Sequence, residues 1–117
     1  MNAPIDWSAL AQISGGDPAT EREFLARFRG FNARDVNALV EAAARSEAPG
    51  LQHAAHRIKG AASTVGAMEL AAAAGDVESA CRENDVALAR SRMPALMAQL
   101  QRLDTYLDSL ALPPAGP

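Results

Sequence analysis

Cysteine, aromatic residues and positive charge are all scarce in this chain of 117 residues. Cys81 is the only cysteine, which excludes an intrachain disulfide and a zinc site built from several thiolates. The formal net charge is −3 at pH 7, so no basic surface is expected to bind nucleic acid. No apolar run reaches the roughly 18 residues that span a membrane, and the N-terminal MNAPIDWSAL lacks the regions of a signal peptide. These absences favour a cytoplasmic protein.

Alanine is abundant, with leucine next, in a composition that is 49% hydrophobic and 21% charged. These proportions are typical of a folded globular domain, and 117 residues suffice for one core. Ala and Leu are the strongest apolar helix formers, whereas β-branched residues, which favour strands, are few. We therefore expect a single all-α domain over residues 1–117. The initiating Met and the short tails favour a free-standing protein.

The order of breaks and apolar positions predicts one short helix followed by four longer ones. The short helix spans about Asp6 to Ile13. The longer helices cover about 18–45, 51–65, 67–83 and 84–110, within a helical core of about 6–111. Pro94 either kinks the last helix or marks its true start, and the pattern leaves both open. Short connections between the helices predict an antiparallel up-down four-helix bundle with a short extra N-terminal helix.

The same pattern predicts which side chains cap the helices and which are buried. Asp17 should cap the second helix ahead of Pro18, and Asn84 or Asp85 should cap the last one. The apolar face of the first helix comprises Ile5, Trp7, Leu10 and Ile13. The buried stripe of the second helix comprises Phe24, Phe28, Phe31, Val36, Leu39, Val40 and Ala43.

The third helix separates into two faces when its residues are placed at intervals of about 100°. The face expected in the core carries Leu51, Ala55, Ile58, Ala62 and Val65. The opposite face carries His53, His56, Lys59, Gly60 and Ser63. His56 points almost directly away from the core, and Lys59 and Gly60 follow it at the two spacings that are neighbours on a helix surface.

This grouping suits a residue that carries a phosphoryl group. A neutral imidazole is a good nucleophile near pH 7, since the usual pKa of histidine is about 6.5. Attack on an aspartyl phosphate would give a labile phosphoramidate on His56. Lys59, the only lysine beside ten arginines, could offset the phosphoryl charge. Gly60 would let a partner's active site approach closely, and Ser63 is assigned to the same phosphoryl-stabilising or docking group.

Other interpretations of this face stay open. An exposed helical histidine is ordinary, and a bundle that only binds another protein would use the same surface. His53 lies one turn before His56, but no Lys-Gly pair follows it at the same spacing, so it joins Gln52 and Arg57 at the rim. A metal site on His53 and His56 would lack a nearby Cys or a suitably spaced Glu, so no metal site is predicted.

The segment LQHAAHRIKGAASTVGAMEL, residues 51–70, resembles the histidine-containing phosphotransfer (HPt) family. The family motif places the phosphoryl-accepting histidine three residues before Lys-Gly, followed by small residues and a Gly-Ala step. Here these positions are His56, Lys59, Gly60 and then Gly66-Ala67. The opening DWSALAQISGGDPATEREFLARF also resembles the family, so the likeness covers about residues 6–111. It implies a four-helix bundle with His56 exposed.

The likeness also implies a partner for the imidazole. Family members usually continue with Cys-x-x-Leu-Glu, whereas this chain has Ala74 and then Val77-Glu78. A Gln or Glu near this position often bonds the other imidazole nitrogen in the family. Glu78 is therefore expected to accept from His56 Nδ1–H and leave Nε2 as the nucleophile, and the alternative is a solvated surface glutamate.

For function, the likeness implies a cytoplasmic phosphorelay in a two-component system. A receiver aspartate would donate to His56 and a second receiver would accept, with a sensor histidine kinase or hybrid kinase upstream. The Mg²⁺ of such reactions belongs to the receiver, so no cofactor is expected here. We expect a monomeric phosphocarrier rather than an enzyme. The alternatives are a domain phosphorylated directly by a kinase's ATP-binding domain, or a bundle that only binds a protein.

Overall fold

A computed structural model describes residues 3–114, and this part of the chain contains five α-helices and no strand. Their bounds are α1 Trp7–Ser14, α2 Pro18–Ala44, α3 Ala48–Thr64, α4 Met68–Arg82 and α5 Val86–Ser109. Consecutive long helices pack side by side, so that α3 contacts both α2 and α4, and α4 contacts α5. The expected all-α four-helix bundle with a short N-terminal helix is confirmed. Residues 1–2 and 115–117 of the expected tails lie outside the described residues.

Side-chain caps explain where three of the helices begin. Asp6 accepts a hydrogen bond from Ser8 N at 3.0 Å, and Asp17 accepts one from Thr20 N at 3.2 Å. At the start of α5, Asp85 accepts from Leu88 N at 2.9 Å, so the cap is Asp85 and not Asn84. Each carboxylate satisfies an amide that has no partner within its own helix.

Two expectations about helix starts need correction. α3 begins at Ala48 rather than Leu51, because Pro49 fits in the first turn, where its missing N–H is not needed. Pro94 lies inside α5, which begins eight residues earlier at Val86. The possibility that Pro94 marks the start of the last helix is therefore wrong.

The apolar faces predicted for α1 and α2 are only partly correct. Ile13, Phe24, Phe31 and Val40 were expected in the core but are exposed. At about 100° per residue, Phe24 and Phe31 lie on one side of Phe28, while Leu25 lies on the other. α2 turns the side with Leu25 and Phe28 inward, and both of these are buried. The periodicity therefore predicted the correct side of α2, but it did not predict where the buried surface ends and the exposed surface begins.

The turn between α3 and α4 also anchors α1. Gly66 has φ +77°, and its carbonyl accepts a hydrogen bond from Asp6 N at 2.8 Å. A Cβ at Gly66 would lie 2.6 Å from Asp6 O, which is too close for any side chain. Trp7, the next residue after Asp6, donates from Nε1 to the Tyr106 hydroxyl at 2.8 Å and ties α1 to α5. Glycine at residue 66 thus permits both the turn and the close approach.

Replacing Gly66 by alanine should destabilise the fold by about 2–4 kcal/mol, since left-handed backbone costs about 1 kcal/mol and the clash adds to it. Gly16 is the matched control, because it also has positive φ, at +82°, but nothing lies within 4 Å of its would-be Cβ. Gly16→Ala should cost only about 1 kcal/mol. Urea unfolding of both variants measures the difference, and equal losses would contradict the packing argument.

Candidate functional site

The two faces expected on α3 are present. Leu51, Ala55, Ile58, Ala62 and Val65 are all buried. On the other face His53, His56, Gly60 and Ser63 are exposed, and Lys59 is half-buried. The His56 side chain is 63% exposed. The helix therefore holds the His56 imidazole at the surface while its opposite side is fixed by the core.

A buried carboxylate from α4 lies beside this imidazole. Glu78 is only 2% exposed, and its Oε2 lies 2.7 Å from His56 Nδ1. Small residues of α4 allow this approach, since Ala71 and Ala74 are buried on the same helix face. When the imidazole is neutral, a proton on Nδ1 satisfies this contact and leaves the lone pair on Nε2. The surface-glutamate alternative for Glu78 is thereby wrong, because the bundle buries it.

Two cations share the Glu78 carboxylate with His56. Lys59 Nζ lies 3.4 Å from Oε1, and Arg82 Nη2 lies 3.0 Å from Oε2. Burial raises the pKa of Glu78, but the hydrogen bonds from His56 and Lys59 and the charge of Arg82 together lower it by more. The net pKa is below the usual value, so the buried group is an ionised hydrogen-bond acceptor.

Lys59 packs against α4, whereas the surface at Gly60 is unoccupied. The aliphatic stem of Lys59 lies along α4 beside Gly75, where a Cβ would be 3.6 Å from Lys59 Cδ. A Cβ at Gly60 would have nothing within 4 Å, so the surface beside His56 is open there. The lysine is thus held near the carboxylate, while the glycine leaves space for an approaching molecule.

The structure does not bring Ser63 to the imidazole. Ser63 lies seven residues after His56, which is roughly 10 Å along the helix axis. Its hydroxyl donates to the Lys59 carbonyl at 2.9 Å, within α3 itself. Ser63 is therefore at the edge of the exposed face rather than beside the imidazole.

The expected rim residues border the same face. His53 is exposed one turn before His56, and Gln52 is half-buried. Arg57 Nε donates to Asp35 Oδ1 of α2 at 2.9 Å, and Asp35 is buried. Nothing local in the sequence links Asp35 and Arg57, which are 22 residues apart. Arg82 was also missed, although its position four residues after Glu78 on one helix is a spacing that favours an ion pair.

An apolar groove of about 410 Å³ lies beside the exposed face of α3. It is formed by the side chains of Ile13, Phe24, Phe28, Phe31, Ala61, Thr64 and Val65, with Asp35 and Arg57 at its border. All three phenylalanines of the chain line it. Arg57 directly follows His56 on α3, so the border of the groove lies about 100° around the helix from the imidazole. We name this set of residues the aromatic groove.

Over residues 3–114, no group of three or more His, Cys, Asp or Glu side chains is arranged to hold a metal ion. In the same range, no helix is long and apolar enough to cross a membrane.

Comparison with known proteins gives one family. A family model described as Hpt domain matches residues 23–109, which include most of α2 and all of α3, α4 and α5. Comparison with curated proteins and with solved structures gives no significant match.

Replacing Glu78 by glutamine should destabilise the protein at pH 6 by about 1–2 kcal/mol. The loss is small because solvent screens the charges of its exposed partners. Because the pKa of Glu78 is lowered on folding, its ionised form stabilises the fold above the usual glutamate pKa of about 4.3. That stabilisation is lost as the pH falls through the lower, folded-state pKa.

The difference in unfolding free energy between wild type and Glu78→Gln should accordingly shrink between pH 6 and about pH 3. Urea unfolding across this range measures it, and Glu83→Gln, at the exposed end of α4, controls for the change in net charge. A difference that stays constant or grows on acidification would contradict an ionised Glu78.

Proposed function

The chain belongs to the Hpt domain family, and on that premise we propose that His56 carries a phosphoryl group between receiver domains. The family functions in phosphotransfer within two-component signalling, and its members are phosphocarrier modules rather than self-sufficient enzymes. The observation that carries the assignment to His56 is the pairing of an exposed ring with a buried acceptor for Nδ1, Glu78 Oε2, at 2.7 Å.

The transfer step follows from that tautomer. The Nε2 lone pair attacks the phosphorus of a receiver's aspartyl phosphate, so that an N–P bond forms as the P–O bond to the aspartate breaks. The receiver carboxylate leaves with the electron pair, and no proton has to leave Nε2 because none is there. As the N–P bond forms, positive charge develops on the ring, and the Glu78 carboxylate stabilises it through Nδ1–H. The second receiver takes the group by the reverse step.

Lys59 and Gly60 serve the phosphoryl group and its donor. The ammonium of Lys59, one turn after His56, offsets the negative charge that arrives with phosphorus. The open surface at Gly60 admits the receiver's active site. Ser63, His53 and Gln52 are assigned to contacts at the edge of the docking surface. The Mg²⁺ that assists the aspartate would be held by the receiver, and this chain would need no cofactor.

The aromatic groove supports a receiver as the docking partner. Reacting atoms must come within about 3.5 Å, so a receiver that reaches Nε2 must also cover the surface next to His56. The aromatic groove lies beside that surface, and its exposed Phe24, Phe31 and Ile13 form an apolar patch. The Arg34 guanidinium lies over the Phe31 ring, 5.6 Å from its centre. A helix of the receiver is the occupant we propose. Arg57, held by Asp35 at the border, would favour acidic groups on that helix.

The site of action would be the cytoplasm, where the family's receivers and kinases carry their catalytic domains. A sensor or hybrid histidine kinase would supply the first receiver with its phosphoryl group. A monomer suffices for the reaction, since all the side chains of the site come from α3 and α4 of one chain.

Incubation with a phosphorylated receiver should place acid-labile label on wild type and on His53→Gln, but not on His56→Gln. The reason is that only His56 has both the exposed Nε2 and the acceptor for Nδ1. Radiolabel transfer followed by acid treatment measures it. Label retained in His56→Gln would overturn the assignment, and label that comes only from a kinase's ATP-binding domain would overturn the receiver-to-receiver relay.

Phe31→Ser should weaken receiver binding by about tenfold, because an exposed aromatic side chain leaves the groove. Val40→Ser is the matched control, since Val40 is on the same helix and is 45% exposed, against 54% for Phe31, but does not line the groove. Titration calorimetry with a receiver measures both affinities, and urea unfolding verifies that the fold is intact. Equal losses in the two variants would exclude the aromatic groove as the docking surface.

A further inference from the structure

Arg82 takes no part in the proposed transfer step, yet it contacts the same Glu78 oxygen as His56. We propose that Arg82 is a positioning residue that holds Glu78 against His56 while Lys59 turns to the phosphoryl group. This inference rests on the proposed function of His56. It is carried by the way in which three donors divide the two oxygens of one buried carboxylate.

The geometry assigns the two cations different positions. Arg82 Nη2 and His56 Nδ1 both contact Glu78 Oε2, at 3.0 and 2.7 Å, so the arginine fixes the oxygen that the imidazole uses. Lys59 Nζ contacts the other oxygen, Oε1, at a longer 3.4 Å. Arg82 and Glu78 lie one turn apart on α4, so their contact is independent of any movement of α3.

The charge balance explains why two cations are needed. A neutral imidazole gives Glu78 a hydrogen bond but no charge, and a buried carboxylate requires charge compensation. When a phosphoryl group is attached to Nε2, its negative charge attracts the Lys59 ammonium away from Glu78 Oε1. Arg82 then keeps a positive charge at Oε2, so Glu78 stays ionised and Nδ1 keeps its proton. Without Arg82, one lysine would have to serve both the carboxylate and the phosphoryl group.

An exposed pair spaced by four residues on a helix is usually a weak surface contact, and the Arg82 side chain is 57% exposed. Two features set this pair apart. Its acceptor is buried, and the same oxygen already holds the imidazole. A change at Arg82 should therefore be detected at His56 through the Glu78 oxygen that both side chains contact.

The first test is spectroscopic and needs no partner protein. Imidazole ¹⁵N chemical shifts at pH 8.5 report which ring nitrogen carries the proton. Wild-type His56 should be mainly the Nδ1–H tautomer, and Arg82→Gln should raise the fraction of the other tautomer by roughly two- to fivefold. Arg82→Lys should restore the wild-type spectrum. Arg92→Gln is the charge-matched control, since Arg92 is a half-buried residue of α5 that donates to the Asp76 carbonyl on α4 and does not contact Glu78 in any ion pair described above.

The second test measures coupling between the two cations. The rate of transfer from a phosphorylated receiver should fall roughly two- to fivefold in Arg82→Gln. In the double variant Lys59→Gln/Arg82→Gln it should fall by at least a further threefold beyond the product of the single effects, because Glu78 then loses both charges. Urea unfolding of each variant separates this effect from loss of fold.

The outcomes divide clearly. The role of Arg82 would be overturned by an unchanged tautomer in Arg82→Gln or by an equal change in Arg92→Gln. It would also be overturned if Arg82→Lys failed to restore the spectrum, or if the rate effects in the double variant were simply multiplicative. If wild-type His56 takes no label at all, the proposed function fails instead. The tautomer measurement then still reports whether Arg82 positions Glu78.

Discussion

The buried carboxylate of Glu78 is the constraint on which the rest of the site depends. A charged group that is almost fully removed from water must find hydrogen-bond donors and compensating charge within the protein. His56 Nδ1, Lys59 Nζ and Arg82 Nη2 meet that need from two helices. The same contacts fix the tautomer of an otherwise free surface imidazole. An ionised glutamate under the surface thus determines which nitrogen faces outward, which in the proposed function is the nitrogen that takes the phosphoryl group.

The bundle makes this arrangement possible by bringing α3 and α4 close together. Alanines at 54, 55 and 62 on α3 and at 71 and 74 on α4 are buried, and such small side chains allow close approach. The stem of Lys59 lies along α4 beside Gly75. The turn that joins the two helices is fixed in turn by the contact of Gly66 with Asp6. The site therefore sits on two rigid helices whose spacing is set by packing, which preorganises the imidazole before any partner arrives.

The helical period was sufficient to predict both faces of α3, because that helix packs on neighbours along a regular stripe. The cap at Asp17 was predictable because it depends on local sequence alone, whereas for the last helix the local sequence left both Asn84 and Asp85 open. The Asp35–Arg57 pair was not predictable, since it joins α2 to α3 and has no local signal. Glu78 needed both kinds of information. The family likeness suggested that it accepts from the imidazole, but its burial follows only from the packing of α4 on α3.

The exposure of Phe24 and Phe31 is the largest difference between expectation and structure, and its reason is also physical. A helix surface that is apolar by composition is covered only where a neighbour reaches it, and α1 has only eight residues. The bundle thus leaves aromatic surface uncovered next to His56. An exchange carrier as proposed must bind one receiver, release it and bind another. A groove with few charges suits that need, because apolar contact tolerates different partners, while a border charge such as Arg57 discriminates among them.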